Sequence, residues 1–221
     1  MEIRNTEDGS PTLWSEQYGE TYHSGFGAVT ESLHVFIEAG FNRTTANPLH
    51  IFEMGFGSGL NALLTFKFAS QKNIRVRYHA VEIYPVPFDI TSKMSVEKGL
   101  SDVFLKLHKA GWNEPSVITP EFELLKIKQN LLDWEPKDLY NLVYFDAFSP
   151  ESQPELWTGD VFQKIYKMLY PGGILTTYCA KGYVRRNMIA AGFRVERLPG
   201  PPGKREMLRA VKESSSLTRD C

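Results

Sequence analysis

The chain has 221 residues, of which 42% are hydrophobic and 23% are charged, and its formal net charge is −1. These values are typical of a soluble globular protein, and no apolar run approaches the length of a membrane span. The first residues do not resemble a signal peptide. The chain has only two cysteines, Cys179 and Cys221, which argues against a disulfide framework and favours the reducing cytoplasm as the expected compartment.

The N-terminal stretch, residues 1 to about 28, is polar and rich in turn-forming residues, so a flap is expected there. A helix is predicted next, and it ends at Gly40. Its apolar positions share one helical face: Val29, Leu33, Phe36 and Ile37. We therefore expect residues 1–45 to form a flap and a helix that pack on a main domain.

A glycine-rich stretch, LHIFEMGFGSGLN over residues 49–61, predicts a strand, a tight turn and the start of a helix. Glycine is needed at Gly55, Gly57 and Gly59 because a sharp turn that approaches a ligand closely tolerates no Cβ atom. The following helix offers unpaired N–H groups and a positive dipole end to an anionic group. This pattern indicates a loop that binds a nucleotide-like cofactor.

The identity of that cofactor follows from the residues around the glycines. The Lys-Ser/Thr pair of phosphate-binding loops is absent, and Leu60 stands where a dinucleotide fingerprint needs a small residue. Glu53 lies two residues before G-x-G-x-G, an arrangement used by Rossmann-like S-adenosylmethionine methyltransferases. Their ligand carries an ammonium group that a carboxylate can meet. The alternative is a plain tight turn that caps a strand.

A second acidic residue marks the end of the next strand. The β-forming stretch RVRYHAVE, residues 75–82, ends on Glu82, twenty-three residues after Gly59. This spacing is close to that at which a carboxylate reaches ribose hydroxyls in nucleotide-binding βαβ units. Glu82 is therefore predicted to bind the cofactor, and the alternative is a solvent-facing residue at a strand end.

The third strand is predicted over residues 122–127, after an insertion at residues 99–120 that mixes helical and turn signals. Methyltransferase-like folds usually place an acidic residue just after this strand, where it accepts a hydrogen bond from the adenine amino group. This chain has Gln129 and Asn130 there. The side-chain carbonyl of Asn130 can still accept from that amine.

The fourth strand, YNLVYFD over residues 140–146, ends on Asp146. Ligands of α/β sheets bind at the carboxyl edge, so Asp146 is the candidate for the reacting centre. The following loop contains Pro150, Pro154 and Trp157, and this composition indicates a stiff aromatic loop that shapes a pocket. The alternative is an aspartate that caps the next turn.

The remaining pattern completes an α/β fold. A helix is predicted to end at Pro171-Gly172-Gly173, and it buries Val161, Phe162, Ile165, Met168 and Leu169. Four further elements follow: a strand at 174–179, a helix at 183–191, and strands at 193–198 and 206–212. We predict a Rossmann-like methyltransferase fold with a seven-stranded, mostly parallel sheet whose last strand runs antiparallel.

Positive charge is concentrated near the C-terminus. Nine basic residues lie between Lys181 and Lys212, against only Glu196 and Glu206. The sequence therefore predicts a local basic face suited to a polyanionic partner. We expect the main domain to span residues 46–213 and residues 214–221 to form a disordered tail.

Several stretches together resemble one family. They are EMGFGSGLN, VEIYP, YFDAFSPESQPELW, PGGILTTYCAKGYVRRNMIAAGF and PGKREML. They look like the methyltransferase half of the bifunctional enzyme that makes 5-methylaminomethyl-2-thiouridine at the wobble position of bacterial tRNA. The stretch YHSGFGAVTESLHVFIEAG is more similar to stand-alone members. The resemblance covers residues 8 to 211 in the same order, and it implies methylation of the 5-aminomethyl group of uridine 34 with S-adenosylmethionine as the cofactor.

The resemblance and the patterns above give a candidate site. Asp146 is the predicted catalytic residue. The predicted cofactor-binding residues are Glu53, Gly55, Phe56, Gly57, Gly59, Asn61, Glu82, Ile83, Asn130 and Asp146. The predicted substrate-binding residues are Phe148 and Trp157 in an aromatic pocket, and Lys181, Arg185, Arg186, Lys204 and Arg205 on tRNA phosphates. No metal is expected.

The resemblance has two departures. Gln129-Asn130 replaces the family's Gly-Asp, and the FAD-dependent oxidase half is absent. We therefore expect action only on tRNA that already carries the free aminomethyl group. Two other functions stay open: an aminopropyltransferase related to spermidine synthase that acts on a small amine, and a non-catalytic RNA-binding protein. The oligomeric state and the preference for the 2-thio or 2-oxo base also stay open.

Overall fold

The computed structural model describes residues 1–214, and its main feature is an eight-stranded sheet. The strands of this sheet are β4 (Leu49–Met54), β5 (Val76–Glu82), β6 (Pro115–Thr119), β7 (Phe122–Lys128), β8 (Tyr140–Phe145), β9 (Leu169–Thr177), β10 (Arg194–Pro199) and β11 (Glu206–Val211). Their order is β10-β11-β9-β8-β4-β5-β7-β6. The predicted tail lies outside the described residues, apart from Ser214.

Most neighbouring strands are parallel, as predicted. The pairs β4–β5, β4–β8, β5–β7 and β8–β9 are parallel, whereas β11 runs antiparallel to both of its neighbours. The Rossmann-like fold class and the antiparallel last strand are therefore confirmed. Because β4, β5 and β8 are parallel neighbours, their carboxyl ends meet at one edge of the sheet.

The predicted number of seven strands is wrong by one. The additional strand, β6, comes from the stretch interpreted as an insertion, and it pairs antiparallel with β7 at the edge of the sheet. As an edge strand it has little buried surface, and the side chain of Val117 is 75% exposed. A short strand with one buried face carries a weak hydrophobic signal, which explains the error.

Helices cover both faces of the sheet. The helices are α1 (Ala28–Ser32), α2 (Leu60–Lys72), α3 (Phe88–Thr91), α4 (Ser101–Lys109), α5 (Gly159–Met168) and α6 (Gly182–Ala190). Short 3-10 helices span Phe41–Arg43 and Pro154–Trp157. One core cluster includes Phe36, Leu63 and Leu107, and the other includes Phe162 and Met188. Two cores separated by a sheet define a three-layer α/β/α arrangement.

Two helix ends differ in how well the sequence predicts them. α1 continues into a π-helical segment, Leu33–Glu38, and the helical course ends just before Gly40, as predicted. By contrast, α5 ends at Met168, and the residues expected to stop it, Pro171–Gly173, lie inside β9. Gly172 N donates to Lys212 O and Lys212 N donates to Gly173 O, so pairing with the chain beyond β11 keeps this stretch extended.

The N-terminal region contains a small antiparallel sheet that the sequence pattern does not reveal. Its strands are β1 (Glu2–Asn5), β2 (Pro11–Ser15) and β3 (Glu20–Thr21). The division of the chain at residue 45 stays a prediction. Within residues 1–214, no helix is long and apolar enough to cross a membrane. The same residues contain no cluster of three or more histidine, cysteine or acidic side chains placed to hold a metal ion.

Candidate active site

A cavity opens at the carboxyl edge of the sheet, where β4, β5 and β8 end. Its volume is about 270 Å³, and it is open to solvent on one side. This volume is close to the lower end of the range for small-molecule sites, about 300 to 1,000 Å³. Residues from the glycine loop, the ends of β5 and β8, the N-terminal segment and the β10–β11 loop all line it.

The glycine loop forms the floor of this cavity, and each glycine has a positive φ angle: 87° at Gly55, 50° at Gly57 and 72° at Gly59. A Cβ atom would lie 2.8 Å from the Asp146 backbone oxygen at Gly55, and 2.9 Å from the Tyr22 ring at Gly57. Gly59 lies outside the cavity lining and is the N-cap of α2. Backbone conformation and close packing therefore both require glycine here.

Glu82 lies at the end of β5 and faces the glycine loop. Its carboxylate accepts hydrogen bonds from Gly57 N at 3.2 Å and Tyr84 N at 2.8 Å. Burial raises the pKa of Glu82, and these backbone donors oppose that shift. Glu82 and the next residue, Ile83, both line the cavity. Each carboxylate oxygen keeps a free lone pair that can accept from a ligand hydroxyl.

Asn61 connects the two acidic residues predicted on β4 and β8. Its Nδ2 group donates to Glu53 Oε1 at 2.9 Å and to Asp146 Oδ2 at 2.8 Å. Asn61 and Asp146 line the cavity, whereas Glu53 is 1% exposed and lies outside its lining. Glu53 is therefore connected to the cavity lining through Asn61, and its direct contact with a ligand ammonium stays a prediction.

The two carboxyl groups differ in their ionisation. Burial raises the pKa of Glu53 well above its usual range, and its Oε2 atom has no hydrogen-bond partner among the described residues. Burial also raises the pKa of Asp146 to about 7, and the charge of Glu31 adds to this effect. The Asn61 hydrogen bond and Lys204 oppose it. Asp146 is therefore the acidic group of the cavity that titrates near neutral pH.

An aromatic wall covers the side of the cavity next to Asp146. The Phe148 ring centroid lies 4.3 Å from that of Tyr18 and 4.9 Å from that of Tyr22. Gln153 connects Phe148 to Tyr18 within this wall. Its Oε1 atom accepts from Phe148 N and its Nε2 atom donates to the Tyr18 hydroxyl, each at 3.0 Å. Ser149 N donates to Glu20 Oε1 at 3.1 Å, which ties the N-terminal segment to the loop after β8.

Trp157 does not belong to this wall. Its side chain is 1% exposed and is not part of the cavity lining. Its Nε1 group donates to Phe148 O at 3.0 Å. Trp157 is therefore a core residue, and it stabilises the wall through its hydrogen bond to the Phe148 backbone.

Asn130 also lies outside the cavity lining. Its Oδ1 atom accepts from Leu132 N at 3.0 Å, which closes a turn after β7. Asparagine commonly makes this local contact two residues along the chain. The amide oxygen keeps a second lone pair, so the contact of Asn130 with adenine stays a prediction.

The predicted basic face is smaller in the structure than in the sequence, because acidic partners neutralise several of its members. Lys181 pairs with Glu151 and Lys204 with Glu31. Within residues 1–214, no carboxylate lies at ion-pair distance from three of the predicted phosphate-binding residues: Arg185, Arg186 and Arg205. α6, which carries the first two, begins just after β9 at the edge where the cavity opens.

Sequence patterns alone do not identify several residues of the cavity. These are Tyr18, Glu20, Tyr22, Glu31 and Tyr178. All but Tyr178 lie before the glycine loop and reach the cavity only through tertiary packing. The family-like stretch over residues 22–40 is a signal that points to two of them.

Comparison with known proteins shows similarity to one group of methyltransferases. A family model described as S-adenosyl-L-methionine-dependent methyltransferase matches residues 115–213. The tRNA 5-methylaminomethyl-2-thiouridine biosynthesis bifunctional protein MnmC of Cupriavidus metallidurans is 30% identical over 224 residues, which cover 91% of this chain and 32% of that protein. The protein of the same name from Ectopseudomonas mendocina is 31% identical over 231 residues, which cover 96% of this chain and 35% of that protein. The chain spans about a third of the length of these curated relatives.

The crystal structure of MnmC2 from Aquifex aeolicus is similar over almost the whole chain. Its TM-score is 0.80 at 26% identity, and the match covers 95% of this chain and 69% of that one. The family model, these relatives and this structure together support an S-adenosyl-L-methionine-dependent methyltransferase. Spermidine synthase from Thermotoga maritima has a TM-score of 0.56 at 14% identity, so that likeness extends to the fold alone.

The residues of the cavity fit S-adenosylmethionine, the cofactor of this family. The glycine loop has a backbone conformation that favours glycine and lies against the cavity, and α2 begins at the loop without a side-chain cap. The Glu82 carboxylate has free lone pairs that can accept hydrogen bonds from ribose hydroxyls. The carboxylates of Glu82 and Asp146 suit a ligand that carries positive charge. When bound, this cofactor supplies a methyl group on a sulfonium sulfur.

Proposed function

We propose that the chain methylates the 5-aminomethyl group of 5-aminomethyl-(2-thio)uridine at tRNA position 34, with S-adenosylmethionine as the donor. The product would be 5-methylaminomethyl-(2-thio)uridine. The single observation that carries the proposal is the position of Asp146, held by Asn61 in a cavity that the glycine loop and an aromatic wall enclose. The names of the relatives, which refer to biosynthesis of this nucleoside, support the same reaction.

The reaction requires a neutral amine. A primary alkyl amine has a pKa near that of lysine, about 10, and is mostly protonated at neutral pH. A partly desolvated position beside the aromatic wall of Tyr18, Tyr22 and Phe148 would disfavour the ammonium form. The site would thus lower the pKa of the amine and increase the fraction of the neutral, nucleophilic form.

Asp146 is proposed to orient the amine and to accept its proton. An aspartate with an ordinary pKa of about 3.9 is a weak base. Because burial raises the pKa of Asp146 to about 7, its carboxylate is better matched to proton transfer near neutral pH. Positioning of the amine in line with the transferable methyl group would supply most of the rate, since good orientation can contribute roughly 7 to 11 kcal/mol.

Arg185, Arg186 and Arg205 are proposed to bind tRNA phosphates. They are the predicted phosphate-binding residues that have no carboxylate partner in residues 1–214, whereas Lys181 and Lys204 are paired. Phosphate contacts orient an RNA without reading its sequence, whereas the unstacked wobble base would enter the cavity. With tRNA as substrate, the proposed place of action is the cytoplasm.

The proposal is tested by incubating the chain with labelled S-adenosylmethionine and tRNA that lacks this final methylation. Nucleoside mass spectrometry should show 5-methylaminomethyl-(2-thio)uridine at position 34. A product formed only from putrescine and decarboxylated cofactor would support the aminopropyltransferase instead. Failure to bind S-adenosylmethionine in calorimetry would support a non-catalytic RNA-binding protein.

A further inference from the structure

Besides Glu20, Glu82 and Asp146, the cavity is lined by a further carboxylate, Glu31 of α1. Glu31 is 6% exposed and lines the cavity together with Asp146. Its Oε2 atom accepts from Ser24 N at 2.7 Å, and its Oε1 atom accepts from the Lys204 ammonium. A buried carboxylate is costly unless charged or polar partners compensate it. At Glu31 this compensation comes from one backbone N–H and one cation.

The cation that satisfies Glu31 in the structure is a primary alkylammonium. Lys204 comes from the β10–β11 loop, and its Nζ atom lies 3.9 Å from the centroid of the Tyr178 ring. Such a distance is typical of a cation–π contact. The Tyr178 hydroxyl donates to Ala147 O at 2.9 Å, which holds the ring beside the residue that follows Asp146. A carboxylate and an aromatic face thus form a subsite for an alkylammonium group.

The two partners differ in how easily they can separate. The Lys204 side chain is 32% exposed, whereas that of Glu31 is 7% exposed. The Lys204 ammonium can regain water when it leaves, whereas separation without a replacement would leave a buried, unpaired carboxylate at Glu31. Exchange of Lys204 for another ammonium avoids that cost.

We infer that Glu31 and the face of Tyr178 form the subsite that receives the aminomethyl group of the substrate as an ammonium, and that Lys204 occupies this subsite until the substrate displaces it. This inference rests on the proposed function, in which the substrate carries the same chemical group as a lysine side chain. From this subsite the amine would lie in the same chamber as Asp146, which then takes its proton. Lys204 is accordingly reassigned from phosphate binding to substrate selection.

The test compares the affinities of the full chain for two tRNAs, one with 5-aminomethyluridine and one with unmodified uridine at position 34. The dissociation constant of the unmodified tRNA divided by that of the aminomethyl tRNA measures recognition of the amine separately from phosphate contacts. A high ratio means strong recognition of the amine. Glu31→Gln keeps an acceptor for Ser24 N but removes the charge, and it should reduce the ratio about tenfold or more, as expected for loss of a charged hydrogen bond. Lys204→Met should increase the ratio several-fold.

Two further variants serve as a charge-preserving comparison and as a control. Lys204→Arg preserves the charge and can pair more firmly with Glu31, so it should reduce the affinity for the aminomethyl tRNA. Lys67→Met removes the lysine of another ion pair, Lys67–Glu97, on α2 outside the cavity lining. This matched control should leave the ratio unchanged.

Three outcomes would overturn the inference or its basis. If Lys204→Met weakens binding of both tRNAs equally and lowers the salt dependence, Lys204 binds phosphate. If Glu31→Gln leaves the ratio unchanged while the wild type still methylates the aminomethyl tRNA, Glu31 has a structural role and only the inference fails. If the wild type neither methylates nor distinguishes the two tRNAs, the proposed function itself fails.

Discussion

The two sides of the cavity are built differently. The sheet side consists of the ends of β4, β5 and β8 with the glycine loop, and the paired parallel strands place Glu82 and Asp146 at their carboxyl ends. The opposite side consists of the N-terminal segment and the β10–β11 loop, which side-chain contacts such as Glu31 with Lys204 hold in place. A side fixed by strand pairing suits the chemical step, whereas a side held by exchangeable side-chain contacts suits the binding and release of ligands.

Replacing Asp146 should have the largest effect, because it removes the proposed proton acceptor from the sheet side. We expect Asp146→Ala to lower the single-turnover methylation rate by about 10² to 10⁴-fold, the usual contribution of a general base. Calorimetry should still detect binding of S-adenosylmethionine, since the glycine loop and Glu82 are unchanged. A rate close to that of the wild type would remove Asp146 from the mechanism.

The pH profile should show the next largest effect. Asp146 is a base only when deprotonated, and its pKa is about 7. The value of kcat/KM should therefore fall as the pH drops below about 7, by about tenfold per unit at low pH. Because the Asn61 hydrogen bond lowers the pKa of Asp146, Asn61→Ala should shift this limb to higher pH. An unchanged profile in the variant would show that another group controls the limb.

A change on the opposite side should affect binding more than chemistry. Tyr22 packs over Gly57 and against Phe148. Tyr22→Ala should weaken the affinity for S-adenosylmethionine by several-fold to about tenfold, as expected for loss of buried aromatic area, and kcat should change less. Tyr22→Phe retains the ring and is the matched control. A dominant fall in kcat with unchanged cofactor affinity would contradict the division between the two sides.

The smallest effect is expected at the surface. Arg186 is exposed and has no carboxylate at ion-pair distance within residues 1–214. Arg186→Ala should reduce tRNA affinity a few-fold and lower the salt-dependence slope by about one. Binding measured at several salt concentrations checks this. Arg194→Ala, which removes a residue paired with Glu196 and Glu213, should change the slope less.

Sequence and structure agree best where the signal is local. The glycine loop, Glu82 and Asp146 follow directly from strand, turn and spacing patterns, because parallel strands bring their carboxyl ends to one edge. The same reasoning was wrong about Trp157 as a pocket residue. An aromatic residue in a loop after β8 can face the cavity or the core, and only packing against Phe148 and α6 decides between them.

By itself the sequence determined the fold class, the sheet edge that carries the site and the type of cofactor, because hydrophobic periodicity and backbone requirements act over short distances. The tertiary structure alone decided which charges face the cavity. Lys204 and Glu31 are 173 positions apart, and no local pattern relates them. Their pairing depends on how the β10–β11 loop meets α1, since charged residues find their partners through the packing of the whole chain.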